Sequence, residues 1–588
     1  MDAAAPLCCP ACLCRELARW AGAAATPLDY WRCVRCQLVF APPQPLPGHR
    51  VDNQPAPLQG VNLYRHDRPL REWLAHFGVD WGQERLEAYG ELAGDELLAA
   101  GQLANRHLPE LHSHDAQGRR LDRVDFHPAW HRLLQAGIGH GLHALPWREP
   151  RAGAQVLRAG LFYLHNQVEA GSACPLTMTF ASVAVLRRQL PLSEPWLERI
   201  LSLDYDPRVL PMAAKRGLTI GMALTEKQGG TDLRANASRA CALGAAGPGQ
   251  GYRLQGHKWF CSAPMSDAFL TLARSAGGLS CFLLPRLRPD GGHNGIEIQR
   301  LKDKLGNRSN ASAEIEYRDA QAWMVGEEGR GIATLLEMVA LTRIDCVTGS
   351  AALMRQALSQ ALHHCAQRRV GGQRLDERPL MQNVLADLAL ESEAALAFAL
   401  RLAQALDRPQ EEGERLLLRL LTAVGKYWVC KRAPGMINEA QECLGGAGYI
   451  ETSLLPRLYR EAPVNAIWEG SGNVQCLDVL RVLERTPAAL EALFAELGNG
   501  HGEARLRARV RRIERLLRGG ERECHARALC AEIALAMQAS LLLQGAPSWL
   551  AEAFLSARAE AGTPLYGGLP RGIALAPLLA RSRLQAFD

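Results

Sequence analysis

Lysine is scarce in this chain: only seven of its 67 basic residues are lysine. The rest are arginine, beside abundant Ala, Leu and Gly, a bias that reads as genome composition and makes arginine richness alone no argument for a nucleic-acid partner. Five of the lysines (Lys215, Lys227, Lys258, Lys302, Lys304) fall within ninety positions and mark that segment as constrained. Long apolar runs are also missing. None reaches the roughly 18 residues a bilayer-spanning helix needs, and Met1-Asp2-Ala3-Ala4-Ala5 lacks the basic start of a secretory signal. The expectation is a cytoplasmic protein with no membrane partner. There is no Walker loop, no H-E-x-x-H and no internal repeat; Gly446-Ala447-Gly448-Tyr449-Ile450-Glu451 lacks the third glycine of a dinucleotide fingerprint and sits in helical sequence. P-loop, metalloprotease and dinucleotide-fold readings are thereby excluded.

With 588 residues the chain is too long for one core, and three to five structural units are expected. Its 48% hydrophobic and 22% charged residues are ordinary for a globular protein, and a net charge of +6 is modest for the length. Of 17 cysteines, eleven are scattered singly, as expected for reduced, buried thiols. The other six crowd the first 36 residues. Cys9-Pro10-Ala11-Cys12 and Cys33-Val34-Arg35-Cys36 form two C-x2-C knuckles, a spacing that resembles a zinc ribbon and would close a structural zinc site with no open position for substrate. A leader without fixed structure is the other reading of this segment, suggested by the proline-rich Ala41-Pro42-Pro43-Gln44-Pro45 that follows.

From 51 to 216 the apolar spacing predicts helices, at Leu86 to Leu103, Trp130 to Ile138 and Val156 to Val168. From 217 to 330 it changes to short strands bounded by Gly, Asn and Asp, a small β domain rather than βαβ units. From 331 to 487 long amphipathic stretches, Met381 to Leu406 and Glu414 to Val429, predict a helical bundle, and 488–588 adds a further basic helical region. The fold class is α+β, in the order α, β, α.

Within the β segment, Gly221 to Asp232 begins as a strand and ends in a glycine turn flanked by Thr225 and Thr231, able to offer backbone N–H groups and hydroxyls to a ring edge or pyrophosphate. Gly256 to Ser262 adds aromatics on alternating faces of a strand. Taken singly, each reads first as a plain hairpin with core aromatics, since Gly-Gly turns and strand aromatics are common. Further on, Ile467-Trp468-Glu469-Gly470-Ser471-Gly472-Asn473 sets a carboxylate between an aromatic and a glycine turn, which reads as a general base beside a planar cofactor.

Taken together and in this order, these segments resemble the acyl-CoA dehydrogenase flavoprotein family over roughly Val51 to Glu484, through Thr225-Glu226, the Lys258 to Ser262 strand, Gln367-Arg368-Arg369, Leu385-Ala386-Asp387, Gly445 to Tyr449 and Trp468-Glu469-Gly470. Thr225 to Asp232, Arg300 to Ser312 and Pro456 to Asn473 are most similar to its alkylation-response, AidB-like branch. The resemblance implies an N-terminal helical domain, a middle β-barrel and a four-helix bundle. It implies FAD, contacted by Met222, Leu224, Thr225, Gly230, Thr231, Phe260, Cys261, Ser262, Ile467, Trp468, Gly470, Ser471 and Asn473, and by Arg368 reaching the pyrophosphate in a neighbouring subunit, hence a homotetramer or dimer of dimers. Gly371-Gly372 stands where the family usually has Phe-Gly, and Glu442 where many members carry Gln.

In the family mechanism Glu469 takes the α-proton of an acyl thioester while its own N–H polarises the thioester oxygen, and hydride passes from the β-carbon to the flavin. The alternative family position for the base is here Thr342, next to Arg343. Arg343 either steadies charge in the site or pairs on a helix surface. Arg481 either enters the substrate pocket beside Trp468 or is a surface arginine. In the C-terminal region Arg511, Arg512, Arg515 and Arg518 lie on a helix whose apolar stripe is Leu506, Val510, Ile513 and Leu517; the branch implies contact with double-stranded DNA, against a merely solvated basic face. Three functions compete: a DNA-associated flavoprotein of the alkylation response; a metabolic dehydrogenase of short or branched acyl-CoA that passes electrons to an electron-transfer flavoprotein; and a catalytically silent DNA-binding module that retains flavin for structure.

Overall fold

The computed structural model describes residues 17–19, 31–33, 39–40, 52–498, 502–558 and 565–584. The zinc knuckles fall outside this set except for Cys33, which ends the strand Trp31–Cys33; that strand pairs antiparallel with Leu17–Arg19 and Val39–Phe40. Among the described residues no cluster of three or more His, Cys, Asp or Glu could hold a metal.

The N-terminal helices include α1 (Ala154–Val168) and α2 (Ala170–Leu186), both buried along nearly their whole length. Glu169 caps α2 by accepting from Gly171 and Ser172 N–H. An all-helical reading of this region missed one hairpin, Glu110–His114 with Arg120–Asp125. Its strands are polar and mostly part-exposed, so they carry no apolar alternation to betray them.

The middle domain is a seven-stranded sheet of β1 (Ile220–Ala223), β2 (Arg239–Ala242), β3 (Gly251–Ser262), β4 (Ala268–Ser275), β5 (Gly278–Pro285), β6 (Ile296–Leu301) and β7 (Ser312–Val325). Strands β4–β5–β7–β3–β2 close on β4 as a small barrel, with β1 and β6 on its flanks. The aromatic segment Gly256 to Ser262 is the second half of the twelve-residue strand β3. Between Lys258 and Cys261 the register against β7 slips, so two residues are squeezed outward between two that point in. Aromatics alternating across the strand were expected here; the bulge instead turns Phe260 outward and leaves Trp259 part-exposed, while Lys258 and Cys261 are buried in the barrel.

The bundle consists of α3 (Gly331–Gln367), α4 (Pro379–Asp407), α5 (Glu412–Glu442), α6 (Leu455–Asn465) and α7 (Gly472–Arg485). The C-terminal helices α8 (Ala504–Arg518) and α9 (Arg522–Gly545) share one apolar core with the bundle and the N-terminal helices. Buried arginines anchor the region: Arg581 grips Glu393 of α4, and Arg558 bridges Asp387 and Glu391 of α4. Contrary to the sequence reading, α9 is long and apolar enough by composition to cross a bilayer. With 67% of its most apolar window buried inside the fold, it is a core helix here.

Candidate active site

The turn after β1 is built around a buried charge. Glu226 and Gly229 exchange backbone hydrogen bonds (3.0 and 3.1 Å), and a Cβ on Gly229 would come within 2.4 Å of Asp232 O, so only glycine closes this turn. Lys258 Nζ donates to Glu226 Oε1 at 2.6 Å and to Leu272 O at 2.7 Å, with both charged residues inside the barrel. Burial opposes the Glu226 charge, but Lys258 and the neighbouring Ala237 and Ser238 hold its carboxyl down to about 2; burial likewise draws Lys258 down to about 8. Trp259 N–H donates to Thr225 O at 2.8 Å, clipping the turn to β3. The outcome is a shelf: Thr225 and Ser262 half-buried, Gly230 and Thr231 exposed, and Phe260 48% exposed. The Cys261 side chain points into the barrel and leaves only its backbone for a ligand.

Facing this shelf is the turn between α6 and α7. Its last residues leave the helix with Glu469 at φ 59° and Gly470 at φ 97°, a left-handed conformation that is strained for a glutamate. Three side chains hold it. Arg343 Nε donates to Glu469 O at 2.9 Å; Gln475 Nε2 donates to Glu469 O at 3.1 Å and Gly470 O at 2.9 Å; Lys426 Nζ donates to Asn465 O at 2.6 Å and Gly470 O at 3.2 Å. No backbone carbonyl among the described residues accepts from the N–H of Glu469 or Gly470. Desolvation pushes the Glu469 carboxyl above its usual range, opposed by the Thr342 hydroxyl and the charges of Lys426 and Arg343. Trp468 is half-buried, its Nε1 donating to Asn465 Oδ1 at 3.1 Å, while Ile467 is exposed. Ser471 begins α7, and Asn473 Oδ1 accepts from Arg527 of α9 at 2.9 Å.

One apolar cluster joins the two halves: Met222, Leu224 and Trp468 all pack at the edge of the core formed by Met178, Leu335 and Leu341. At its polar end the Cys174 thiol of α2 has Ser262 and Asn310 as hydrogen-bonding neighbours and feels the charges of Lys304 and Glu469; burial pushes it up to about 12. The shelf hydroxyl thus neighbours a thiol that also feels the charge of Glu469. The Arg300 to Ser312 string closes this end. Lys304 Nζ donates to Asn310 O (2.5 Å) and Ser312 Oγ (2.9 Å), Ser309 Oγ to Glu169 (2.7 Å), and Asn307 N–H to Glu461 Oε2 (2.8 Å).

For two arginines the sequence left two readings each. Arg343 supports the Glu469 main chain and ion-pairs with Asp478 at 3.1 Å. Arg481 is half-exposed and also pairs with Asp478, at 3.2 Å, where Arg419 converges as well. Arg368 caps the end of α3, half-buried, with Nη1 donating to Asn53 O. In the basic region Arg511 and Arg515 are exposed with no carboxylate partner among the described residues, whereas Arg512 lies 3.8 Å from Glu532 and Arg518 3.6 Å from Glu514. Lys426, Gln475, Asp478 and Cys174 were not picked out from the sequence. Lys426 alone carried a signal there, as a lysine kept in an arginine-biased chain.

Comparison with known proteins finds three family models along the chain: "Adaptive response protein AidB N-terminal domain" over residues 53–207, "Acyl-CoA dehydrogenase, middle domain" over 221–320 and "Acyl-CoA dehydrogenase, C-terminal domain" over 329–484. The AidB protein of Escherichia coli (strain K12) is 51% identical over 474 residues, 80% of this chain and 87% of that protein. The structure of Caenorhabditis elegans ACDH-11 in complex with C11-CoA is 26% identical and superposes with a TM-score of 0.79, covering 92% of this chain and 94% of that one. An acyl-CoA dehydrogenase complexed with FAD from Bacillus anthracis shares the fold at 16% identity, with a TM-score of 0.57 over 77% of this chain and 81% of that one.

Proposed function

The chain belongs to the acyl-CoA dehydrogenase family, oxidoreductases acting on the CH–CH bond of acyl-CoA, and from that premise we propose an AidB-like flavoprotein whose catalytic base is Glu469. The observation that carries the reading is the packing of Met222 and Leu224, from the shelf side, and Trp468, next to Glu469 on the opposing turn, against one apolar core. The donor set fits a flavin: an exposed Phe260 ring for a planar face, neutral hydroxyls at Thr225, Thr231 and Ser262 for polar edges, and Met222 and Leu224 along the β1 side. When bound, FAD supplies the acceptor for the β-hydride. Arg368, half-buried at the end of α3, would reach the cofactor of a second copy in a homotetramer.

The residues of this chain divide the remaining work. Glu469, its basicity raised by desolvation, takes the α-proton of an acyl thioester. The Glu469 and Gly470 N–H groups, free of backbone partners, are the donors available to the thioester oxygen, where enolate charge develops. Trp468 narrows the acyl pocket. The test is Glu469→Gln: flavin content should be unchanged and acyl-CoA-dependent bleaching should fall about 10²–10⁴-fold, the usual worth of a general base. Bleaching at the wild-type rate would remove Glu469 from the chemistry.

A second role is supported by a separate observation, the unpaired arginines Arg511 and Arg515 on the outer face of α8. In line with the resemblance to AidB, this face binds the phosphates of double-stranded DNA without reading sequence, in a cytoplasmic response to alkylation damage. Cys9, Cys12, Cys33 and Cys36 hold one structural zinc; metal analysis should find one equivalent, lost in Cys12→Ser.

A further inference from the structure

Each lysine of this chain is an exception to its arginine habit, and one of them is shut inside the bundle. Lys426 of α5 is 1% exposed, and among the described residues its ammonium makes no ion pair. A buried cation in that state is costly unless polar atoms compensate it. The compensation comes from two main-chain oxygens, Asn465 O at 2.6 Å and Gly470 O at 3.2 Å. Their positions are informative: Asn465 is the last residue of α6, and Gly470 directly follows Glu469. The two carbonyls bracket the turn that presents the base.

We propose that Lys426 is a positioning residue for the reaction, its ammonium clamping the Asn465–Gly470 turn by its carbonyls and fixing the Glu469 carboxylate in the site. The inference rests on Glu469 being the base. Clamping matters because Glu469 and Gly470 both hold positive φ, a conformation the chain would leave without restraint. Arg343 and Gln475 grip the Glu469 end, and Lys426 joins the Gly470 carbonyl to the last carbonyl of α6 through one ammonium. An ammonium suits the place better than a guanidinium, since it is a compact point charge able to serve two carbonyls at once. The groups that face the Glu469 carboxyl are Thr342 and Arg343 from α3 and Lys426 from α5, with the thiols of Cys346 on α3 and Cys174 on α2 also within its field.

The experiment follows the Glu469 carboxyl directly, by infrared titration of the flavin-loaded protein, with the band assigned by its loss in Glu469→Gln. Lys426→Met removes the charge and the clamp. The band should then titrate about one pH unit or more higher, as expected for losing an opposite charge at this range. The acid limb of kcat/KM should move with it, and Lys426→Arg should restore part of the shift. An unshifted band in folded Lys426→Met overturns the proposal. So does an unshifted band in folded Lys426→Gln, the variant read should Lys426→Met fail to fold. If Glu469→Gln bleaches normally, the assignment of the base fails instead, and the infrared band still reports whether Lys426 governs this carboxyl.

Discussion

Arg343 reaches across 126 positions of sequence to donate from Nε to the main-chain oxygen of Glu469 at 2.9 Å, while its Nη1 holds Asp478 at 3.1 Å. The guanidinium thus ties α3 to both ends of the segment that carries the base: the turn before α7 and the middle of α7 itself. Two rigid helices set the direction of one strained residue. This explains how a carboxylate on a connecting turn can be placed as firmly as one on a helix.

Arg343→Met should leave the fold intact and lower kcat about 10- to 100-fold with little change in KM, because it loosens the base without touching the acyl pocket. Arg343→Lys should not rescue it, since one ammonium cannot reproduce the fork that spans Glu469 O and Asp478. Steady-state kinetics on a thioester that bleaches the flavin checks both.

The pH dependence follows from the direction in which Glu469 is shifted. Its carboxyl is raised by desolvation, and a base works only when deprotonated, so the rate should climb with pH through a midpoint above the usual carboxylate value of about 4.3. A midpoint at or below that value, read from kcat/KM against pH, would contradict the burial argument.

Glu461 offers a stability test of the opposite end of the site. Burial and the nearby Glu169 push its carboxyl up to about 7, so the folded protein holds this proton more tightly than the unfolded chain does. The contribution is fully present below about pH 4.3 and is lost as pH rises through about 7. Glu461→Gln keeps an acceptor for Asn307 N–H and mimics the protonated form. It should be neutral at pH 4 and stabilising by up to about 3 kcal/mol at pH 8, checked by denaturant melts at both values.

Breaking the buried pair under the Thr225 shelf should cost far more than its two hydrogen bonds suggest. Lys258→Met strands the Glu226 carboxylate inside the barrel, a loss of about 3–5 kcal/mol. The variant should release flavin before it unfolds globally, which fluorescence of the freed cofactor against a circular-dichroism melt would show.

How much of this was legible in the sequence differs by element. The order of helices, barrel and bundle was readable because long apolar periodicities and short turn-bounded strands sort cleanly. The hairpin at Glu110–His114 and Arg120–Asp125 was not, since its register rests on backbone pairing and polar contacts rather than on an apolar face. Thr225, Phe260, Trp468 and Glu469 stood out through motif strings. Gln475, Asp478 and Lys426 did not, because each acts on the backbone or charge of a residue that only folding brings near. The basic helix was half legible: composition gave its charge, but only the structure separates Arg505 and Arg509, spent on Glu552 and Glu532, from the unpaired Arg511 and Arg515.

That separation yields the nucleic-acid prediction. Replacing Arg511 and Arg515 by Gln should weaken binding to duplex DNA evenly across sequences and reduce the slope of log K against log salt by about 2. Replacing the buried Arg509 should instead destabilise the protein by taking the close 2.8 Å partner from the half-buried Glu532. A salt titration by fluorescence anisotropy distinguishes the two; an unchanged slope in the double variant would remove α8 from the interface.

The central claim is that the shelf carrying Thr225, Phe260 and Ser262 and the turn carrying Glu469 form one flavin-dependent site for an acyl thioester. The most direct measurement is the absorption spectrum of the purified protein, titrated anaerobically with acyl-CoA esters of increasing chain length. A flavin band that copurifies and is bleached by at least one ester, and not by the same ester with Glu469→Gln, is the predicted result. A protein that takes up no flavin, or a flavin that no thioester bleaches, would contradict it.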